Sequence, residues 1–195
     1  MACAITAGRS EPCKDSLAGL KNVYFINEDI NTSNLIYYNP ALPEPIVYTD
    51  DIYYVQYIAS LYKFELKSNE NVYDQEIVSS RENGTTFFRQ TLTIKLKKQD
   101  IATHNAVKTL AYAKPRILVE TNEGDFFLVG LLRGTDLTSG SINNGGDLGG
   151  FNGYSLTFTA EELLPSPFIL NGTNAFRISD ADQLPLSAAS TIVTS

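Results

Sequence analysis

From Gln90 to Lys98 the chain alternates strictly. Leu92, Ile94 and Leu96 fall on one face, while Thr91, Thr93, Lys95 and Lys97 fall on the other. A period of two is the signature of a half-buried β-strand, and the Thr and Ile content suits an antiparallel one. Continuing back through Thr85-Thr86-Phe87-Phe88 gives a strand of about twelve residues, against a usual five or six. Strands of that length project past a domain or line a closed sheet, so the fold is expected to be built around a sheet.

Other segments follow the same logic. Strands are predicted at Lys21–Ile26, Tyr62–Leu66, Glu76–Ser79 and Tyr154–Thr159. Ile117–Glu120 and Phe126–Leu131 are separated by a short loop containing Gly124, a hairpin signal. One helix is predicted over 101–113. Asp100 or Thr103 is placed to cap it, Val107, Leu110 and Ala111 share a face, and Pro115 stops it. The expected architecture is mainly β: an antiparallel sandwich or barrel of about seven strands with one flanking helix.

Three stretches break the pattern. Asn27–Asp51 carries Pro40, Pro43 and Pro45 among Asn, Ser and Thr, and a run of tyrosines (Tyr37, Tyr38, Tyr48, then Tyr53, Tyr54 and Tyr57) overlaps it. Long loops in compact domains are usually interacting ones, and tyrosine offers contact area with a polar tip. Asp136–Gly150 reads as a glycine-rich loop. Beyond Glu162 the chain turns proline-rich and charge-poor, so 1–162 is expected to be the β domain and 163–195 an extended arm that takes its order from a neighbour.

Charge narrows the function. Fifteen Lys and Arg against 22 Asp and Glu leave a net charge of −7, the opposite of the basic stripe a nucleic-acid reader uses to neutralise phosphates. No apolar run approaches the roughly 20 residues that span a bilayer. The first residues lack a basic start and an apolar stretch of signal-peptide length, so export is not expected. Asn83-Gly84-Thr85 and Asn171-Gly172-Thr173 are then chance matches to the glycosylation pattern. Cys3 and Cys13 are too few for a disulfide framework or a four-ligand zinc site, and are expected to be free thiols.

Catalytic chemistry finds little to work with. The single histidine, His104, falls on the helix beside Asn105, where a solvated side chain is expected and not the base of a nucleophilic triad. The glycines of 136–150 are followed by a strand and no nearby lysine, which does not fit a phosphate cradle. Asp136 and Asp147 lack the spacing of a calcium loop. The pairs Asp50-Asp51 and Glu161-Glu162 read as solvated acids at element ends. No catalytic residue, metal or cofactor is expected.

The order of motifs nevertheless resembles a known family. The opening Ile5-Thr6-Ala7-Gly8-Arg9-Ser10-Glu11-Pro12-Cys13-Lys14-Asp15-Ser16-Leu17-Ala18-Gly19-Leu20-Lys21-Asn22-Val23-Tyr24-Phe25 is similar to bacteriophage virion proteins of the tail tube and tail-ring kind, as in phages of Bacteroidota including crAss-like phages. So is Ser79–Phe88 running on through Leu92–Lys98, followed by Gly130, Thr138–Ser141, Asp147–Phe158 and Glu161. The resemblance spans roughly residues 4 to 162 and leaves the arm outside it.

The resemblance implies a subunit that closes into a ring, its sheets joining into a continuous inner β-barrel around the DNA path. It implies a homo-oligomer, sixfold in a long tail or twelvefold in a short one, with neighbouring tail, ring or portal proteins as partners and double-stranded DNA as passing cargo. The place would be the virion tail, after assembly in the host cytoplasm. An acidic lumen would repel phosphate, with Glu65, Glu76 and Glu82 as candidates. Tyr37, Tyr38, Tyr48, Phe87, Phe88, Phe168 and Phe176 are candidate subunit contacts. The alternative is a β-sandwich module that recognises carbohydrate or a host receptor through the Tyr-rich loop.

Overall fold

The computed structural model describes residues 14, 16–27, 60–68 and 70–169, with the backbones of three short strands at 35–37, 52–55 and 191–193. Two sheets pack face to face. The first has the order β11–β4–β1–β7–β8: β11 is Thr191–Val193, β4 Ser60–Glu65, β1 Leu20–Ile26, β7 Arg116–Thr121 and β8 Phe126–Val129. The second has the order β5–β6–β10–β9: β5 is Val72–Ser80, β6 Thr85–Lys97, β10 Asn152–Glu162 and β9 Asp136–Asn144. A separate ribbon pairs β2 (Leu35–Tyr37) with β3 (Ile52–Val55). Eight antiparallel strands thus form the two sheets, and β11 joins the first in parallel beside β4.

The expected alternation is what creates the core. Leu92, Ile94 and Leu96 of β6 and Leu156 and Phe158 of β10 face Val23 and Phe25 of β1 and Ile117 and Val119 of β7. The Phe25 ring sits between the layers, edge-on to Phe64 at 5.2 Å and tilted against Phe158 at 5.4 Å. Each such side chain contributes roughly 1.5–3 kcal/mol by leaving water.

The two sheets differ in how much they hide. In β1, Val23 to Ile26 are all buried, and in β7 so are Arg116 to Glu120. Continuous burial on both faces explains why these strands read as unbroken apolar runs. The four-stranded sheet instead buries one face and leaves the other wet, the usual condition of an antiparallel layer.

The helix α1 (Ile101–Leu110) closes one end of the sandwich with Val107 and Leu110. Asp100 caps it, accepting from the Thr103 amide at 2.7 Å and the Thr103 hydroxyl at 2.6 Å. Those bonds, the hydroxyl's first, hold the Asp100 carboxyl below its usual range. His104 is exposed on α1, its ring 6.4 Å from that of Tyr154.

Two expectations are corrected. The stretch 136–150 is not all loop: Asp136–Asn144 is β9, and only 145–151 turns, closed by the Gly145 amide on the Phe151 carbonyl (3.0 Å) and the Gly150 amide on Asp147 (2.9 Å). As an edge strand with little packed against it, β9 has no apolar alternation for a sequence reading to find. Glu162, expected to be a solvated acid, is buried at 2% exposure. Its carboxylate accepts the amides of Leu132 (3.0 Å) and Arg133 (2.8 Å), so it organises the turn after β8.

The residues after Glu162 follow the domain before they leave the described region. The Pro167 carbonyl accepts the Leu128 amide at 3.1 Å, the Ile169 amide donates to Phe126 at 2.9 Å, and Phe168 bridges to Phe127. Residues 167–169 therefore cover the free edge of β8. Further on, β11 returns to β4 of the same chain.

Candidate assembly surface

The wet face of the four-stranded sheet is a field of hydroxyls. Register aligns Val72, Thr93, Thr157 and Ser139 in one row, and Lys95, Ser155 and Ser141 in another. Thr93 and Thr157 hydroxyls lie 3.4 Å apart, and Thr138 and Thr159 lie 3.0 Å apart. At the far end, Arg89 reaches Glu76 at 3.2 Å and Glu161 at 3.1 Å. Alternation along the strands puts Asp74, Glu76, Asp136 and Glu161 on this face with Arg89, Lys95 and Lys97, which leaves it one acid in excess of balance.

The sheet ends on both sides in a strand that pairs with nothing further among the described residues. β5 and β9 are each 9 residues long. Neither contains Pro or Lys, two of the devices that keep a bare edge from recruiting another strand. A bulge opposite Thr157 and Phe158 distorts only the start of β9. The ladder also fixes which amides point outward. Gly145 bonds to Phe151, and Lys98 donates to the Asn152 carbonyl. Antiparallel alternation from those pairs leaves the amides of Ile142 on β9 and Ile77 on β5 facing the open edges. Both side chains are exposed, at 47% and 65%.

The β5–β6 hairpin overhangs the sheet. β10 pairs with β6 only as far as Phe88, whereas β5 follows it to Thr85. Phe87 is half-buried on this overhang and Phe88 at its root, with the Arg89 guanidinium 5.7 Å above the Phe87 ring. Phe168 is 40% exposed and stacks 4.4 Å from Phe127 of its own chain. Exposed Leu163 and Leu164 follow β10 at the same end.

The remaining candidates scatter. Of the three acids, Glu76 lies on the hydroxyl face, Glu65 ends β4 in the other sheet and pairs with Lys67 at 3.3 Å, and Glu82 sits in the exposed β5–β6 turn. Tyr37 is the last residue of β2, described by backbone alone, while Tyr38, Tyr48 and Phe176 lie outside the described residues. So do Cys3, Cys13 and the pair Asp50-Asp51.

Sequence reading missed the buried polar site on the far face of the other sheet. Glu120, 1% exposed, accepts from Asn22 Nδ2 at 2.6 Å and the Tyr24 hydroxyl at 2.9 Å, and pairs with Lys21 at 2.7 Å. Burial, then the Glu120 charge, drives the Tyr24 phenol well above its ordinary value. Lys21, Asn22 and Tyr24 lie about 100 positions from Glu120 in sequence, and no local spacing announces them. The cluster is saturated with partners and structural in character.

Among the described residues, no group of three His, Cys, Asp or Glu side chains gathers to hold a metal, and no helix is long and apolar enough to cross a membrane. Compared with protein-family models, curated proteins and solved structures, the chain matches none.

Proposed function

We propose that this chain is a structural subunit whose four-stranded sheet adds edge to edge to copies of itself, forming a ring or tube segment of a phage tail or head–tail junction. The observation that carries the reading is the pair of edges, β5 and β9, that stand open among the described residues, equal in length and on opposite sides of one sheet. Four strands of alternating direction have a simple property. A rotated copy brings its β5 against the first copy's β9 in antiparallel sense, so the ladder continues without interruption. Closure then removes the last bare edge.

The layering favours one face as the lining of the bore. The five-stranded sheet and α1 need the wider outer radius, so the hydroxyl face turns inward. That bore is close to neutral and not strongly acidic, with Glu76 the one expected lumen acid on it. Hydroxyls with nearly balanced charge offer passing phosphate neither a strong trap nor a strong barrier. At about 4.8 Å per strand, and before the widening that strand tilt adds, a sixfold ring would be roughly 37 Å across at the backbone and a twelvefold ring roughly 73 Å.

The test uses the two edges separately. Ile142→Pro and Ile77→Pro each remove an outward amide without breaking a bond inside the subunit. Native mass spectrometry or sedimentation of the wild type should give closed oligomers under assembling conditions. Each variant alone should stay monomeric, and a mixture of the two should stop at a dimer. Oligomers unaffected by either proline would sink the edge-pairing reading.

A further inference from the structure

We propose that a lysine-rimmed cavity at the β4–β6 end of the sandwich receives the acidic β2–β3 connection, residues 38–51, of a second copy of this chain. The inference rests on the self-assembly reading and gives it a second, end-on contact. Lys63, Lys97 and Lys98 outnumber one carboxylate, Glu65, around a cavity of about 320 Å³ with Phe64 and Leu96 in its lining. Lys97 also borders a neighbouring groove with Lys95, Ser155 and Phe151. The nearby carboxylates are already engaged, Glu65 by Lys67 and Glu70 by Lys95. Among the described residues no carboxylate lies within ion-pair distance of Lys63, Lys97 or Lys98, and Asp100 meets the Lys98 charge only from further off, although the chain as a whole carries a charge of −7.

Lys98 adds a second sign. Its φ of 68° makes it the one non-glycine with positive φ among the described residues. That conformation is strained for an L-residue where glycine would pass freely. The turn thereby aims the end of β6 into α1 and sets a lysine on the cavity rim.

The occupant follows from charge. Between Lys21 and Lys63 the sequence has no Lys or Arg, yet it holds Glu28, Asp29, Glu44, Asp50 and Asp51. Residues 38–51 join the two strands of the ribbon and carry Glu44, Asp50 and Asp51 with Pro40, Pro43, Pro45 and Tyr48. Prolines lower the ordering cost of docking. Ring and proline surfaces suit the Phe64 and Leu96 lining, and the carboxylates suit the ammonium rim.

The experiment titrates a labelled synthetic peptide of residues 38–51 into the full chain carrying Ile142→Pro, and follows anisotropy at low and high salt. Expected are binding that weakens with salt and a loss of at least tenfold in Lys63→Glu/Lys97→Glu/Lys98→Glu. The double variant Lys97→Glu/Lys98→Glu, at two exposed positions, should show the same direction with an unchanged melting curve. No peptide binding, or equal binding by the variants, overturns the proposal. So does a lysine-dependent grip on a DNA oligonucleotide in place of the peptide. Lysine-dependent peptide binding by a chain that never oligomerises would support the docking and defeat the ring. Assembly without peptide binding would do the reverse.

Discussion

Gly153 lies so close to Leu96 that a Cβ on the glycine would stand 2.0 Å from the Leu96 carbonyl oxygen. With φ at 155°, Gly153 also occupies a backbone region that side chains rarely enter. It pairs with Lys97 on one side and Asn143 on the other, so it starts the ladder that binds β6, β10 and β9. Gly153→Ala should therefore cost more than about 3 kcal/mol, combining backbone strain with a clash that neither strand can relieve. A urea titration would measure it; a loss under about 1 kcal/mol would mean that the strands shift more freely than their register implies.

Glu162 makes a second pinning point. Glu162→Ala removes the acceptor of two part-buried backbone amides, so a loss of roughly 1–3 kcal/mol is expected. Glu162→Gln keeps an acceptor oxygen and should cost less than half as much. Equal losses for both would show that charge and not hydrogen bonding holds the turn.

The alkaline limb of stability should report Tyr73. Burial pushes its phenol up to about 12, while in the unfolded chain it ionises near 10. A group held neutral in this way stabilises the fold fully below pH 10. The contribution then fades as the pH rises from 10 towards 12, by roughly 2–3 kcal/mol in all. Tyr24 shifts in the same direction and steepens the fall. Tyr73→Phe should flatten part of the limb in chemical denaturation between pH 9 and about 11.5. An unchanged slope would place the loss elsewhere.

Truncation separates the two parts of the C-terminal region. The Tyr73 hydroxyl donates to Gln75 Oε1 at 2.9 Å and bonds the Ser166 hydroxyl, while the Ser166 amide donates to the same Gln75 oxygen at 3.0 Å. Deleting 163–195 strips these partners and bares β8. It should lower the melting temperature by on the order of 10 °C more than deleting 171–195, which spares them. Calorimetry of the two truncations decides it, and equal melting points would make 163–169 a passive tether.

The sequence was most legible where a strand faces both core and water. Leu92, Ile94 and Leu96 announced β6, which runs 13 residues against about twelve expected, and the β7–β8 hairpin was found with its turn. β5 was expected from Glu76 and starts at Val72, because its side chains alternate between half-buried and exposed without a clear apolar stripe. β9 vanished into its glycines, serines and asparagines, since Leu137 is its one partly buried apolar residue packed on the core. The surface that matters most to the proposal is thus the one that hydrophobic patterning encodes least. What marks it is main-chain geometry: which amides look outward, and where the pairing stops.

The unequal burial of the two sheets has a consequence for how this chain can vary. Val23 to Ile26 and Ile117 to Glu120 touch neighbours on every side, so almost any replacement there changes volume or strands a polar group. The Thr and Ser rows across β6, β10 and β9 present short side chains to water from a backbone held by its own ladder. A saturation library scored for folding alone would show two silent strands beside a permissive sheet. Scored for assembly, the permissive sheet would regain its constraints along β5 and β9, and the difference between the two maps would outline the contact between copies.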